Sequence, residues 1–219
     1  MEEIVLYVDL LSQPGRAVMI FLEICRVKYR KVEVRLFKGE YLTEDYKQIS
    51  PAQTIPTLVH GDLVLYESHA ILTYIARTVP ASENWYPSDL VQKSLIDCYL
   101  HWHHLHIRLG CAMYLHNKFM APLIYGKSFN DIEMLTSEAR NDAFDMISKI
   151  FSQGLFVART QKVSIADLVC YSELITMKWV GFDFNKFPRI CEWMDKIGAI
   201  QEVKELDKLL FKVTAKIKL

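Results

Sequence analysis

Ser12, the pair Glu67–Ser68 and the histidines at 101, 103, 104 and 106 are the places where side-chain type and spacing suggest chemistry. Ser12 stands before a stretch, Gln13 to Arg26, in which Ala17, Val18, Ile20, Phe21, Ile24 and Cys25 recur at helical spacing. Position alone makes it an N-cap, with Pro14 in the opening turn, where a missing N–H does no harm. Glu67–Ser68 by itself reads as an ordinary helix start. The four histidines suggest a metal, but at about 100° per residue they point to several sides of one helix. His101 with His104 and His103 with His106 make two separate pairs, so structural or substrate-pocket roles are expected in place of a metal centre.

The elements that must position these residues fall into two regions. Ile4 to Val8 is a continuous apolar run suited to a buried strand, and Arg30 to Leu36 alternates as a half-exposed strand does. A short helix is expected near Thr43 to Ile49. Pro56 to His60 and Leu63 to Leu65 flank Gly61–Asp62, a two-residue hairpin signal. Glu67 to Thr78 is helical again, with Ala70, Ile71, Tyr74 and Ile75 expected on its inner side. The order β-α-β-α-β-β-α implies a small mixed sheet over residues 1–80. Residues 81–90 read as a linker, and 91–219 show helical periodicity with no convincing strand. Ser164-Ile165-Ala166-Asp167 has the pattern of a capping box. The fold class is therefore α/β followed by all-α.

Composition narrows the partners. Lys plus Arg equals Asp plus Glu at 26 each, so global charge calls for neither nucleic acid nor an anionic membrane. Lys204, Lys208, Lys212 and Lys216 spread over a broad helix face, which reads as a solvated one. No apolar run reaches the ~18 residues of a membrane span, and Met1-Glu2-Glu3 puts acid where a signal peptide needs base. The five cysteines are scattered with no C-x-x-C pair. A cytoplasmic protein with reduced thiols is expected.

Leu10-Leu11-Ser12-Gln13-Pro14-Gly15-Arg16-Ala17 resembles the opening active-site motif of the theta class of glutathione transferases. So do Ile55-Pro56-Thr57-Leu58, the stretch Leu65 to Leu72, Trp85-Tyr86-Pro87, Trp102-His103-His104 with Arg108, and Ser164 to Leu168. The likeness holds one register over nearly the whole chain. It implies an N-terminal thioredoxin-like domain that binds glutathione and a C-terminal helical domain that binds the electrophile.

By that resemblance Ser12 is the catalytic hydroxyl, donating to the glutathione sulfur. Tyr41, Thr54, Ile55, Glu67 and Ser68 contact glutathione, with Leu105, His106, Ile107 and Arg108 approaching from the helical domain. Leu10, His104, Arg108 and Cys111 are expected near the electrophile, and Arg16 in a structural ion pair. Pro56 matches a cis-proline of the family, although trans is the default for an X-Pro bond. A free thiol has a pKa of about 8.5, so holding it as thiolate at neutral pH takes about 2.7 kcal/mol. A charge-assisted hydrogen bond of about 1.5–3 kcal/mol plus about 0.3–1 kcal/mol from the helix end suffices.

The resemblance further implies glutathione as co-substrate, no tightly bound cofactor or metal, small hydrophobic electrophiles or hydroperoxides as second substrates, and a homodimer. Tyr41 stands where relatives often have His, and Thr54 where Lys is frequent, which predicts weaker binding at the glycyl end. The chain stops at Leu219, short of the extension of several relatives, which predicts a more open pocket. The rival reading is a non-catalytic module of the same fold. A cysteine-based thiol transferase is disfavoured because no Cys lies between Leu10 and Gly15.

Overall fold

The computed structural model describes residues 2–122 and 126–215, which divide into two compact units, Met1–Tyr86 and Pro87–Leu219. In the first unit, β1 (Ile4–Val8) leads through α1 (Gln13–Ile24) to β2 (Tyr29–Glu33). Two parallel neighbours need such a crossover, since no tight turn can join them. Then come α2 (Glu44–Ile49), β3 (Thr57–His60), β4 (Leu63–Leu65) and α3 (Ser68–Thr78). The sheet order is β2-β1-β3-β4. β1 pairs in parallel with β2, from Ile4 opposite Tyr29 to Val8 opposite Glu33. It pairs antiparallel with β3, which forms the hairpin with β4 through Gly61 at φ 60°.

The apolar residues of the sequence make this core. Leu6, Val8, Leu58 and the α1 stripe from Ala17 to Leu22 are buried, and α1 packs beside α3. Two expectations needed correction. The second strand ends at Glu33, not Leu36, because the Leu36 N–H is captured by the Asp9 carboxylate and a 3-10 turn, Leu36–Lys38, begins there. On α3 the buried stripe is Ser68, Ile71, Leu72, Ile75 and Ala76, whereas Ala70 is exposed and Tyr74 only half-buried. Residues 81–86 pack with the first unit: Ser82 and Tyr86 are buried, and Trp85 meets Phe21 edge-on at 6.4 Å.

Among its described residues the second unit has helices joined by loops and no strand. α4 (Leu90–His103), capped by the Asp89 carboxylate on Gln92 N at 2.9 Å, runs without a break into a wide π-type turn, His104–Arg108. α5 (Leu109–Leu115) follows, then a second wide turn, His116–Met120. After it come α6 (Asn130–Ser152), α7 (Ile165–Trp179), α8 (Pro188–Gly198) and α9 (Gln201–Thr214). α7 is the central helix, buried from Ile165 through Met177. Gly110 lets α5 approach α6 closely: a Cβ there would lie 2.6 Å from the Arg140 Cβ. Phe144 touches Phe182, Phe184 and Phe187, an aromatic knot beneath α6. Lys204, Lys208 and Lys212 are exposed on α9; Lys216 lies outside the described residues.

Candidate functional site

The first unit gathers its candidate residues where β1 runs into α1. Ser12 caps α1, its Oγ accepting from Gly15 N at 3.1 Å, and is 3% exposed. Among the described residues no acceptor takes its hydroxyl proton, so the oxygen is oriented by an acceptor role while its donor role is open. Gly15 permits this tight entry, since a Cβ would come within 2.5 Å of Val8 Cγ2. The loop itself is braced from two sides. Arg16, 1% exposed, donates to the Leu10 carbonyl at 3.0 Å, and Asp9 Oδ1 accepts from Leu11 N at 2.9 Å. Leu10 is half-buried beside it.

The remaining first-unit candidates sit on two neighbouring segments. Ile55–Pro56 is a cis peptide bond, directly before β3. Tyr46 and Thr57 both donate their hydroxyls to the Thr54 carbonyl, at 2.9 and 3.0 Å, which fixes the backbone entering that bond. Ile55 is buried with Val34 and Tyr46, and Tyr41 packs on the same cluster. Thr54 is exposed, and its hydroxyl leans on the Tyr66 carbonyl at 3.4 Å. Glu67 is the N-cap residue of α3 without a capping hydrogen bond from its side chain, so its exposed carboxylate stands at the helix start beside the buried Ser68.

In the helical unit the first wide turn holds the remaining candidates and sorts them. His104 and Leu105 are exposed; His106 and Arg108 are half-buried; Ile107 is buried. His106 stacks on Trp102 at 4.4 Å, with its Nδ1 2.7 Å from the Trp102 carbonyl. His103, one of the cluster, is buried with Nδ1 3.2 Å from the Tyr99 hydroxyl. Arg108 is paired with Glu173 on α7 at 2.6 Å, their side chains 33% and 2% exposed. Cys111 is 1% exposed, and burial pushes its pKa well up, so its thiol belongs to the helical core. A cavity of about 330 Å³ opens between α4, α6 and the 153–159 loop, lined by Leu95, Tyr99, Trp102, Ile150 and Val157; neither His104 nor Cys111 borders it. Among the described residues no group of three or more His, Cys, Asp or Glu is suited to a metal ion.

A sequence profile described as "Glutathione S-transferase, N-terminal domain" matches residues 6–77. The cow protein "Glutathione S-transferase theta-1" is 35% identical over 196 residues, 89% of this chain and 82% of its own length. The chain belongs to the theta-class glutathione S-transferases. The human structure titled "glutathione-S-transferase T1-1, apo form" superposes with a TM-score of 0.86 at 32% identity, covering 96% of this chain and 88% of that one. A human theta-2 structure, titled as a complex with glutathione and an unknown ligand, gives 0.88 at 30% identity over the same shares. The thioredoxin-like and helical halves expected of this theta-class chain are thus shown.

Two residues escaped the sequence reading. Asp9 follows a buried strand, and an acid at the end of an apolar run was its only signal. Glu173 is a second buried carboxylate of α7, six residues beyond Asp167, where a partner was to be expected but could not be named.

Proposed function

We propose that this chain activates glutathione as a thiolate and transfers it to small hydrophobic electrophiles, with the Ser12 hydroxyl donating to the sulfur. The observation that carries this reading is the Ser12 geometry. Its oxygen already accepts from Gly15 N, so its proton is directed away from the helix, in a place where water competes poorly. The α1 N-terminus adds a favourable field for the anion. Glu67 would receive the γ-glutamyl ammonium, and Ser68 with the free N–H groups of the α3 start its carboxylate. The backbone of Ile55 would meet the cysteinyl part, and Tyr41 and Thr54 the glycyl end. Leu105, His106, Ile107 and Arg108 enter the proposal as further glutathione contacts, and Leu10, His104 and Arg108 as electrophile-side residues, whereas the thiol of Cys111 is enclosed in the helical core.

The same thiolate would attack an oxygen of an organic hydroperoxide, breaking the O–O bond to release the alcohol and leave a sulfenic acid. A second glutathione would convert that acid to the disulfide and water, so peroxidase work belongs to the proposal as a second activity. We place the protein in the cytoplasm as a homodimer, with no tightly bound cofactor; among the described residues no helix is long and apolar enough to cross a membrane. The reading is tested with Ser12→Ala. Turnover at pH 7 should fall about 25-fold, since removing about 2.7 kcal/mol raises the thiol pKa by about two units and cuts the thiolate share from about three-quarters to about 3%. The thiolate absorbance of bound glutathione should vanish with it. Unchanged turnover removes Ser12 from its role. A chain that binds no glutathione at millimolar concentration is instead the non-catalytic module, a reading favoured by Tyr41 and Thr54, which supply no cation at the glycyl end.

A further inference from the structure

Asp9 is the first residue after β1 and is 7% exposed. Its two carboxylate oxygens hold two different segments. Oδ1 accepts from Leu11 N at 2.9 Å, and Oδ2 accepts from Leu36 N at 2.8 Å. Its backbone carbonyl accepts from Ser12 N at 3.0 Å. The loop that delivers the Ser12 hydroxyl is therefore tied directly to the turn that starts at Leu36.

That turn belongs to a larger packed block. Leu36 and Tyr41 both lie on the buried cluster of Val34, Tyr46 and Ile55. Tyr46 holds the Thr54 carbonyl, and Arg35 closes the segment by pairing with Glu40, whose Oε2 also accepts from Arg35 N at 2.8 Å. The residues assigned to the glycyl end, Tyr41 and Thr54, and to the cysteinyl part, Ile55, thus belong to one packed body. One carboxylate bridges this body to the Ser12 loop. A carboxylate suits the task because it is acceptor-only; an amide has a single acceptor oxygen and would turn N–H donors toward one of the two amides.

We propose that Asp9 is a positioning residue that couples recognition of the glycyl end of glutathione to ionisation of its thiol. The proposal rests on the Ser12 reading above. When the glycyl end seats the 36–42 segment, Asp9 fixes the loop so that the Ser12 hydroxyl lies on the sulfur. When that end is empty, the loop is less constrained and the thiol is less acidic.

The test compares glutathione with γ-glutamylcysteine, which lacks the glycine, on the wild type and Asp9→Asn. Thiolate absorbance is titrated against pH, and kcat and KM are measured separately with one electrophile. In the wild type, loss of the glycine should raise the apparent pKa of the bound thiol and lower kcat about tenfold, a size common for directly coupled groups. In Asp9→Asn the two thiols should titrate together, both above wild-type glutathione, with the glycine penalty confined to KM. An equal pKa rise on glycine removal in both proteins overturns the coupling, as does a wild-type kcat in the variant. If Asp9→Asn does not fold, Leu36→Pro removes the same hydrogen bond from the donor side. Arg35 is extended there, at φ −72° and ψ 112°, and the first position of a turn of this kind accepts proline. The same titration pattern supports the proposal, and a retained penalty on kcat overturns it. A wild-type thiol still protonated at pH 7 sinks the Ser12 reading itself, a result distinct from loss of coupling alone.

Discussion

The two units use buried polar groups in opposite ways. In the first, the polar groups at the site are oriented by neighbours a few residues away and keep one function open. Ser12 is set by Gly15, the Leu11 amide by Asp9, and Glu67 heads its helix without capping it. In the second, polar side chains satisfy one another across the fold. Asp167 accepts from Ser164 N and Oγ, Val157 N and Trp193 Nε1, at 2.9 to 3.1 Å. Arg108 reaches Glu173, and Arg140 lies 5.2 Å from both the Tyr114 and Phe182 rings. The contrast teaches that a low exposure value has two meanings. At Ser12 it goes with a hydroxyl whose donor role we assign to a ligand, at Asp167 with a carboxylate whose partners are already part of the chain.

Substitutions can break or sharpen this contrast, and the largest effect belongs to the helical unit. Asp167→Ala strands several buried donors and should lower the unfolding free energy by about 3–5 kcal/mol in a urea titration. A loss below about 1 kcal/mol would mean the capping-box carboxylate is not the hub it looks like. Next, the Arg108–Glu173 pair should respond asymmetrically. Arg108→Met leaves a carboxylate in the core and should cost about 3 kcal/mol, whereas Glu173→Gln leaves an arginine able to reach water and should cost about 1 kcal/mol. Equal losses would show that the arginine is as enclosed as its partner.

The pH dependence of the same hub is smaller and has a definite sign. Burial raises the Asp167 carboxyl from its ordinary 3.8 to about 6, against the pull of its four donors. Between those values the folded chain holds a proton that the unfolded chain has released. Its contribution to stability is therefore full below about pH 4 and lost as pH rises through about 6. The wild type's advantage over Asp167→Asn should shrink by about 1–3 kcal/mol from about pH 4 to about pH 7. A constant gap would mean that the donors cancel the effect of burial, and a gap that widens with pH that the donors outweigh it. Gly110→Ala should cost about 1–3 kcal/mol by forcing α5 off α6. The smallest stability effect is expected at the site. Ser12→Ala removes a cap worth about 1 kcal/mol, although the fall in turnover expected from the proposed role is large. A bigger loss of stability would place Ser12 with the structural groups of the other unit.

The features legible in advance were those whose cause lies within a few residues. Ser12 before a helical stripe, the short helix that ends at Ile49, the Gly61 hairpin and the Ser164–Asp167 box all appeared as expected. Their geometry is set by local backbone hydrogen bonds, and residue type at short spacing reports these directly. The errors fell where a distant group intervened. The second strand ended early because Asp9, 27 residues upstream, captured the Leu36 amide. The inner face of α3 was misplaced at Ala70, since which side of a helix meets the sheet is fixed by packing and not by its own apolar residues.

The amino-acid order by itself determined the two-part plan, the apolar stripes and the placement of a hydroxyl at a helix head, because each follows from periodicity and capping along the chain. Tertiary structure alone decided that Asp9 would serve two loops, that Arg108 would be held by Glu173 some 65 residues away, and that Cys111 would face a core. A charged or polar group inside a fold must find a partner, and which partner it finds depends on contacts that only the folded chain creates.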